Sequence, residues 1–113
     1  MKKVYIAGPY SKGDVAVNVK KAMDKANELI NLGYAPFCPH LSHYLHINNQ
    51  QSYEKWLELD IVFLECCNYL LRLPGESPGA DKEVAKAKEL DIPVFYNLRD
   101  LMEYSLYGES QKV

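Results

Sequence analysis

No apolar run in this chain approaches the length that crosses a bilayer, so a helical membrane protein is excluded. Nor is there a block of basic residues. Lys and Arg number 13 against 15 Asp and Glu, for a net charge of −2, and the electrostatic footprint of a nucleic-acid binder is missing. Cysteine is scarce: Cys38, Cys66 and Cys67 are an odd number, and the adjacent pair would bridge only with strain. That argues against a disulfide framework and makes reducing cytoplasm the expected compartment. Met1-Lys2-Lys3 runs directly into an apolar strand, so no signal peptide is expected. No repeat or low-complexity segment interrupts the chain. What remains is 113 residues, 48% apolar and 25% charged, enough for one soluble domain with its own core and no disulfide or metal.

Strand and helix signals alternate. Val4-Tyr5-Ile6-Ala7 reads as a short apolar strand stopped by Gly8-Pro9-Tyr10-Ser11. From Asp14 to Leu32, the apolar positions Val15, Val19, Ala22, Met23, Ala26, Leu29 and Ile30 keep helical spacing, and Gly33 supplies the stop. Tyr34 to Cys38 is a second strand, placed at a sheet edge or distorted by Pro36. Pro39 to Ser52 is polar, rich in His and Asn and aperiodic, which predicts a loop or lid. A helix from Tyr53 to Cys66 follows, then a strand Tyr69–Leu73, a helix after Gly79, a strand Pro93–Tyr96 and a last helix from about Arg99. This order predicts an α/β, Rossmann- or flavodoxin-like doubly wound sheet of about four to five mostly parallel strands, with helices on both faces. Residues 1–108 form the expected domain, and residues 109–113 a frayed tail. Ligands of such sheets bind beyond the carboxyl ends of the strands, where Gly8–Ser11 and Glu76–Gly79 both fall.

The segment Leu73-Pro74-Gly75-Glu76-Ser77-Pro78-Gly79 joins a strand to a helix N-terminus. Unpaired amides and the positive end of the helix dipole make that junction an anion cradle. Glu83 lies one turn further in, on the side that rotates toward the same cleft. A carboxylate beside an anion pocket suggests chemistry on a phosphorylated substrate. In the helix from Tyr53, residues Trp56, Phe63, Leu64 and Cys67 share one side at about 100° per residue, opposite Glu54, Glu58 and Glu65. Asp60 sits inside the apolar stripe. A carboxylate is costly there unless it is paired or faces a functional cleft.

Three features together carry a resemblance: Val4-Tyr5-Ile6-Ala7-Gly8-Pro9-Tyr10-Ser11, Asp60 eight residues before Asn68, and Ser77-x-Gly79-x-x-x-Glu83. In that order and spacing, residues 3 to 98 resemble the nucleoside 2-deoxyribosyltransferase superfamily. Within it the chain looks most similar to the 2'-deoxynucleoside 5'-monophosphate N-hydrolases. The resemblance implies that Glu83 is a nucleophile toward the anomeric carbon, that Asp60 protonates the departing base, and that Tyr5 orients Glu83. It assigns Ser77, Gly79 and the turn Gly8, Pro9, Tyr10 and Ser11 to the 5'-phosphate. The transferases that prefer free nucleosides carry an acid where this chain has Ser77. It implies a small-molecule nucleotide or nucleoside substrate, no cofactor, no metal and a homodimer or higher homo-oligomer. The chain departs from the hydrolases at Lys12, near which they carry an arginine in this loop. It departs again at Asn68, where an aspartate is common, and in a loop holding His40, His43 and His46. His40 and His43 are candidate contacts to the base.

The same residues have plain structural readings. Glu83 and Asp81 complement a helix dipole, Ser77 caps a helix, Tyr5 packs in a central strand, and Asp60 either caps a loop or opens a strand Ile61–Leu64. Trp56 reads as core, and Cys66 and Cys67 as a pair of buried small hydrophobes. The expected function is cleavage of the N-glycosidic bond of a nucleoside 5'-monophosphate. The alternatives are base exchange by a deoxyribosyltransferase and a nucleotide-sensing module without turnover.

Overall fold

A computed structural model of the chain describes residues 1–108. The expected frayed tail, 109–113, lies outside the described residues. Four strands form one sheet in the order β2-β1-β3-β4: β1 (Lys3–Ala7), β2 (Ala35–Phe37), β3 (Tyr69–Arg72) and β4 (Val94–Phe95). All three pairings are parallel, with Tyr5 opposite Leu70 and Ala7 opposite Arg72 in the central pair. Val4 through Ala7 are fully buried, and so is nearly all of β3, as central strands covered on both faces must be. Pro36, which has no N–H to give a ladder, stands in the edge strand β2.

Helices cover both faces. On one face, α1 (Val15–Asn31) places Ala22 and Leu29 against Val4, Ile6, Tyr69 and Leu71, and α5 (Leu98–Glu103) adds Leu101. Asp14 caps α1 by accepting the Val17 N–H at 3.2 Å, and Gly33, at φ +92°, turns the chain out of the helix. On the other face, α3 (Tyr53–Leu64) and α4 (Pro78–Glu89) bring Leu64, Ala80 and Ala87 onto Tyr5, Ala7 and Leu70. Between α3 and β3, Asn68 accepts the Lys3 N–H at 2.8 Å and ties the chain crossing to the start of β1.

Three local expectations are corrected. The segment from Pro39 is not an aperiodic loop: a 3-10 turn at Pro39–Leu41 leads into α2 (Ser42–Asn48). A seven-residue helix with no buried residue shows no apolar stripe, so its sequence carries no period to read. Residues Ile61–Leu64 are helix, not strand. Cys67 is buried but Cys66 is exposed, because neighbouring residues leave the backbone in different directions.

Leu71 lies in the core on the face away from α3 and α4 and is 1% exposed. Leu71→Ala is expected to lower unfolding free energy by about 2–5 kcal/mol in urea titration, from lost transfer energy and the cavity left behind.

Candidate functional site

The strand order reverses direction of travel between β1 and β3, and beyond their carboxyl ends lies a cavity of about 600 Å³. Four pieces of chain wall it: the turn after β1, the 3-10 turn with α2, the first half of α3, and the N-terminal turns of α4. The turns after β1 and β3 are pressed together. A Cβ on Gly8 would sit 2.9 Å from Leu73 Cβ, and one on Gly75, itself at φ +115°, would sit 2.8 Å from Pro9 Cγ.

The floor and one wall come from α4. Ser77, buried, caps it by accepting the Ala80 N–H at 3.1 Å. Pro78 takes the first helical position, where a missing N–H costs nothing. Gly79 lies close under Tyr53, whose Oη would be 3.3 Å from a Cβ there. Lys82 sets its ammonium 5.1 Å from the Tyr53 ring centre at the cavity edge. Glu83, 6% exposed, reaches the cavity from the second turn. The hydroxyl of Tyr5, at the centre of β1, donates to its Oε2.

Asp60 enters from α3. Burial pushes its carboxyl up to about 7. Burial also pushes Glu83 up to about 8; the Tyr5 hydrogen bond opposes that, the Asp60 charge adds to it, and the Arg72 charge opposes it. Tyr5 is held far above the ordinary phenol range by burial and by the Glu83 charge. Burial thus makes both carboxyls hold protons to higher pH than free carboxyls do.

The remaining walls are aromatic and imidazole. His40, 5% exposed, bonds through Nε2 to the Pro9 carbonyl at 2.9 Å, and burial lowers its pKa. Tyr10 Oη and His43 Nδ1 are 2.6 Å apart, which fastens α2 to the turn after β1. The Trp56 indole N–H donates to His46 Nδ1 at 2.9 Å and fastens α2 to α3.

Of the residues singled out from sequence, Glu83, Asp60, Gly8, Tyr10, Ser11, Ser77, Gly79 and His40 line the cavity. Tyr5, Pro9 and His43 stand behind it, each bonded to a residue that does. Trp56 is corrected: it is half-buried and forms part of the wall, not the core. His46, noted from sequence in the histidine-rich segment, lines the cavity as well; Gln51, Tyr53 and Lys82 also line it and were not identified. Trp56 and Tyr53 had a usable signal, since both lie within two turns of Asp60 on the same helix. Among the described residues, no group of three or more His, Cys, Asp or Glu is arranged to hold a metal ion.

A parallel α/β sheet carries a cavity at its carboxyl ends, bordered by a capped helix N-terminus and by two carboxyls whose pKa values burial raises. The chain belongs to the family described as a domain of unknown function, DUF7768, whose model matches residues 2–97. A 2-deoxyribosyltransferase from the psychrotolerant bacterium Bacillus psychrosaccharolyticus, described as a biocatalyst for the synthesis of antiviral and antitumoral nucleosides, is similar in structure. It superposes with a TM-score of 0.65 at 19% identity, over 81% of this chain and 69% of that one. The likeness is one of fold. No curated protein matches the chain.

The raised carboxyls couple stability to pH. Ordinary values of 4.5 for Glu83 and 3.8 for Asp60 apply when the chain unfolds, against about 8 and about 7 when folded. The folded protein then binds more protons than the unfolded chain, so the stability they contribute is present at low pH and lost as pH rises through about 8. Unfolding free energy is expected to fall between pH 5 and pH 8, and the Asp60→Asn/Glu83→Gln double variant to flatten that slope in urea titrations.

Proposed function

We propose that this cavity cleaves the N-glycosidic bond of a nucleoside 5'-monophosphate and releases the free base. The observation that carries the reading is Glu83: a buried carboxylate, oriented by the Tyr5 hydroxyl, facing the same cavity as the capped N-terminus of α4.

The 5'-phosphate lies against the first turn of α4, with Ser77 and Gly79, and against the Gly8–Ser11 turn, with Lys12 adding a point charge. The base stands between Tyr10 and Trp56, within reach of the imidazoles of α2. Glu83 attacks the anomeric carbon and forms an ester as the carbon–nitrogen bond breaks. The electron pair of that bond leaves with the base, which takes its proton from Asp60. Water, deprotonated by Asp60, then attacks the anomeric carbon and returns Glu83 as carboxylate. The first step needs Glu83 ionised and Asp60 protonated; the second needs Asp60 ionised while Glu83 is held as the ester. Burial raises both carboxyls; at Glu83 the Tyr5 hydrogen bond and the Arg72 charge oppose it and favour the ionised form, while at Asp60 burial favours the protonated form.

Base exchange is the second reading. It is favoured by a cavity of about 600 Å³, roomy enough to keep a free base beside the sugar, and by the shared fold of the deoxyribosyltransferase. We further read residues 1–108 as one domain acting as a cytoplasmic homo-oligomer; Val62, Phe63, Leu106 and Tyr107 leave apolar surface half or more exposed for a second copy to cover.

Chromatography of nucleoside 5'-monophosphates and nucleosides incubated with the protein is expected to show base released from the monophosphates. Glu83→Gln should reduce that release by about a thousandfold or more while leaving nucleotide binding measurable by calorimetry. Release that needs no phosphate and accelerates with a second free base would move the assignment to a transferase. Binding without release from any substrate would leave a sensing module.

Ser77→Asp sets a carboxylate against the phosphate while keeping a residue that can cap the helix. KM for monophosphates is expected to rise at least about tenfold, with nucleoside kinetics unmoved. An equal effect on both substrate classes would remove Ser77 from the phosphate site.

A further inference from the structure

Arg72 ends β3 and is 9% exposed. A guanidinium cannot shed its proton, so burying one is costly unless every side of it is paired. Here three acceptors meet it. Nη1 donates to the Leu73 carbonyl; Nη2 donates to the Gly75 carbonyl at 2.9 Å and to Asp81 Oδ1 at 3.0 Å. Two of these lie in the turn that leaves β3, and the third is in the first turns of α4. One planar fork thus spans the whole junction from strand to helix. That junction includes Gly75, which is seated on Pro9 of the facing turn.

The register shows which way the side chain goes. Tyr5, Ala7 and Leu70 belong to the cluster under α4, whereas Tyr69 and Leu71 belong to the opposite face. Side chains alternate along a strand, so Arg72, two residues after Leu70 and paired with Ala7, shares the face of Tyr5. The face that carries the Glu83 hydrogen-bond donor also carries a buried, permanent cation. Its charge acts on Glu83 in the direction that favours the carboxylate.

We propose that Arg72 is a positioning residue of this site: it fixes the turn that presents the N-terminus of α4 and holds a fixed positive charge beside Glu83. The inference rests on the reading of Glu83 as nucleophile. The two duties are separable. Arg72→Met keeps the apolar stem and loses both charge and fork, whereas Arg72→Lys keeps the charge and loses the fork. Asp81, 70% exposed, anchors the fork from the rim.

The test follows the Glu83 carboxyl carbon by NMR during a pH titration of the ligand-free protein, and KM for a nucleoside 5'-monophosphate by base release. In Arg72→Met the Glu83 titration is expected to move alkaline by about one pH unit. In Arg72→Lys it should stay at the wild-type midpoint while KM rises several-fold and kcat is kept. An unmoved titration in Arg72→Met, or a wild-type KM in Arg72→Lys, would overturn the proposal. Should Arg72→Met fail to fold, the lysine variant decides: an unmoved midpoint with raised KM supports the proposal, and a displaced midpoint or unchanged KM overturns it. A displaced titration in Arg72→Met, in a protein that releases no base from any nucleotide, would uphold the place of Arg72 and count against the reaction itself.

Discussion

The hydroxyl of Tyr5 donates to Glu83 across the interface between the central strand and α4, and the site is organised around that bond. Both partners are buried, so neither has water to fall back on; a lone carboxylate or phenol at that depth would be strongly unfavourable. The bond therefore locks the rotation of α4 over the sheet. With α4 set, Ser77 comes to the cavity floor as a cap, Gly79 comes beneath Tyr53, and the first turn of α4 borders the space left beyond β1 and β3. One side-chain hydrogen bond thus couples the core to the N-terminal end of α4 at the cavity floor.

The electrostatics follow from the same burial. Burial raises the Glu83 carboxyl, and two groups oppose it, Tyr5 by hydrogen bond and Arg72 by charge at longer range. At Asp60 burial alone raises the carboxyl. Two carboxyls that share a cavity but differ in their neighbours differ in how readily each ionises, which is what the proposed division of roles requires. The histidines of α2 serve another purpose. His43 and His46 are bonded to Tyr10 and Trp56, so the helix that roofs the cavity is fastened at both of its sides by the residues that line it.

The alternation of elements was legible because β1 and β3 are apolar runs buried on both faces and α1 has a clean stripe with a cap and a glycine stop. Pro36 left an edge position or a distortion open for β2, and the sheet order shows the edge position. Helix α2 was illegible for a physical reason: it is short and buries nothing, so its residues need follow no period. Trp56 was misplaced because α3 changes environment along its length. Its Leu64 end packs on the sheet while its Tyr53–Asp60 end borders the cavity, and a helical wheel averages the two. Tyr5 and Glu83 are 78 residues apart, and only the parallel pairing of β1 with β3 and the packing of α4 over it bring them together. Arg72 gave no signal at all, since a single arginine at a strand end reads as an ordinary snorkelling residue until its three acceptors are seen.

The central claim is that Glu83 bonds covalently to the sugar. The most direct measurement is mass spectrometry of the protein quenched after incubation with a 2'-fluoro-arabino nucleoside 5'-monophosphate, in which the fluorine slows loss of the glycosyl group more than the protein fold can offset. The account predicts a mass increase equal to the fluorinated sugar phosphate, located by proteolysis on the peptide containing Glu83 and absent in Glu83→Gln. Turnover of the natural nucleotide with no adduct, or an adduct on any other residue, would contradict it.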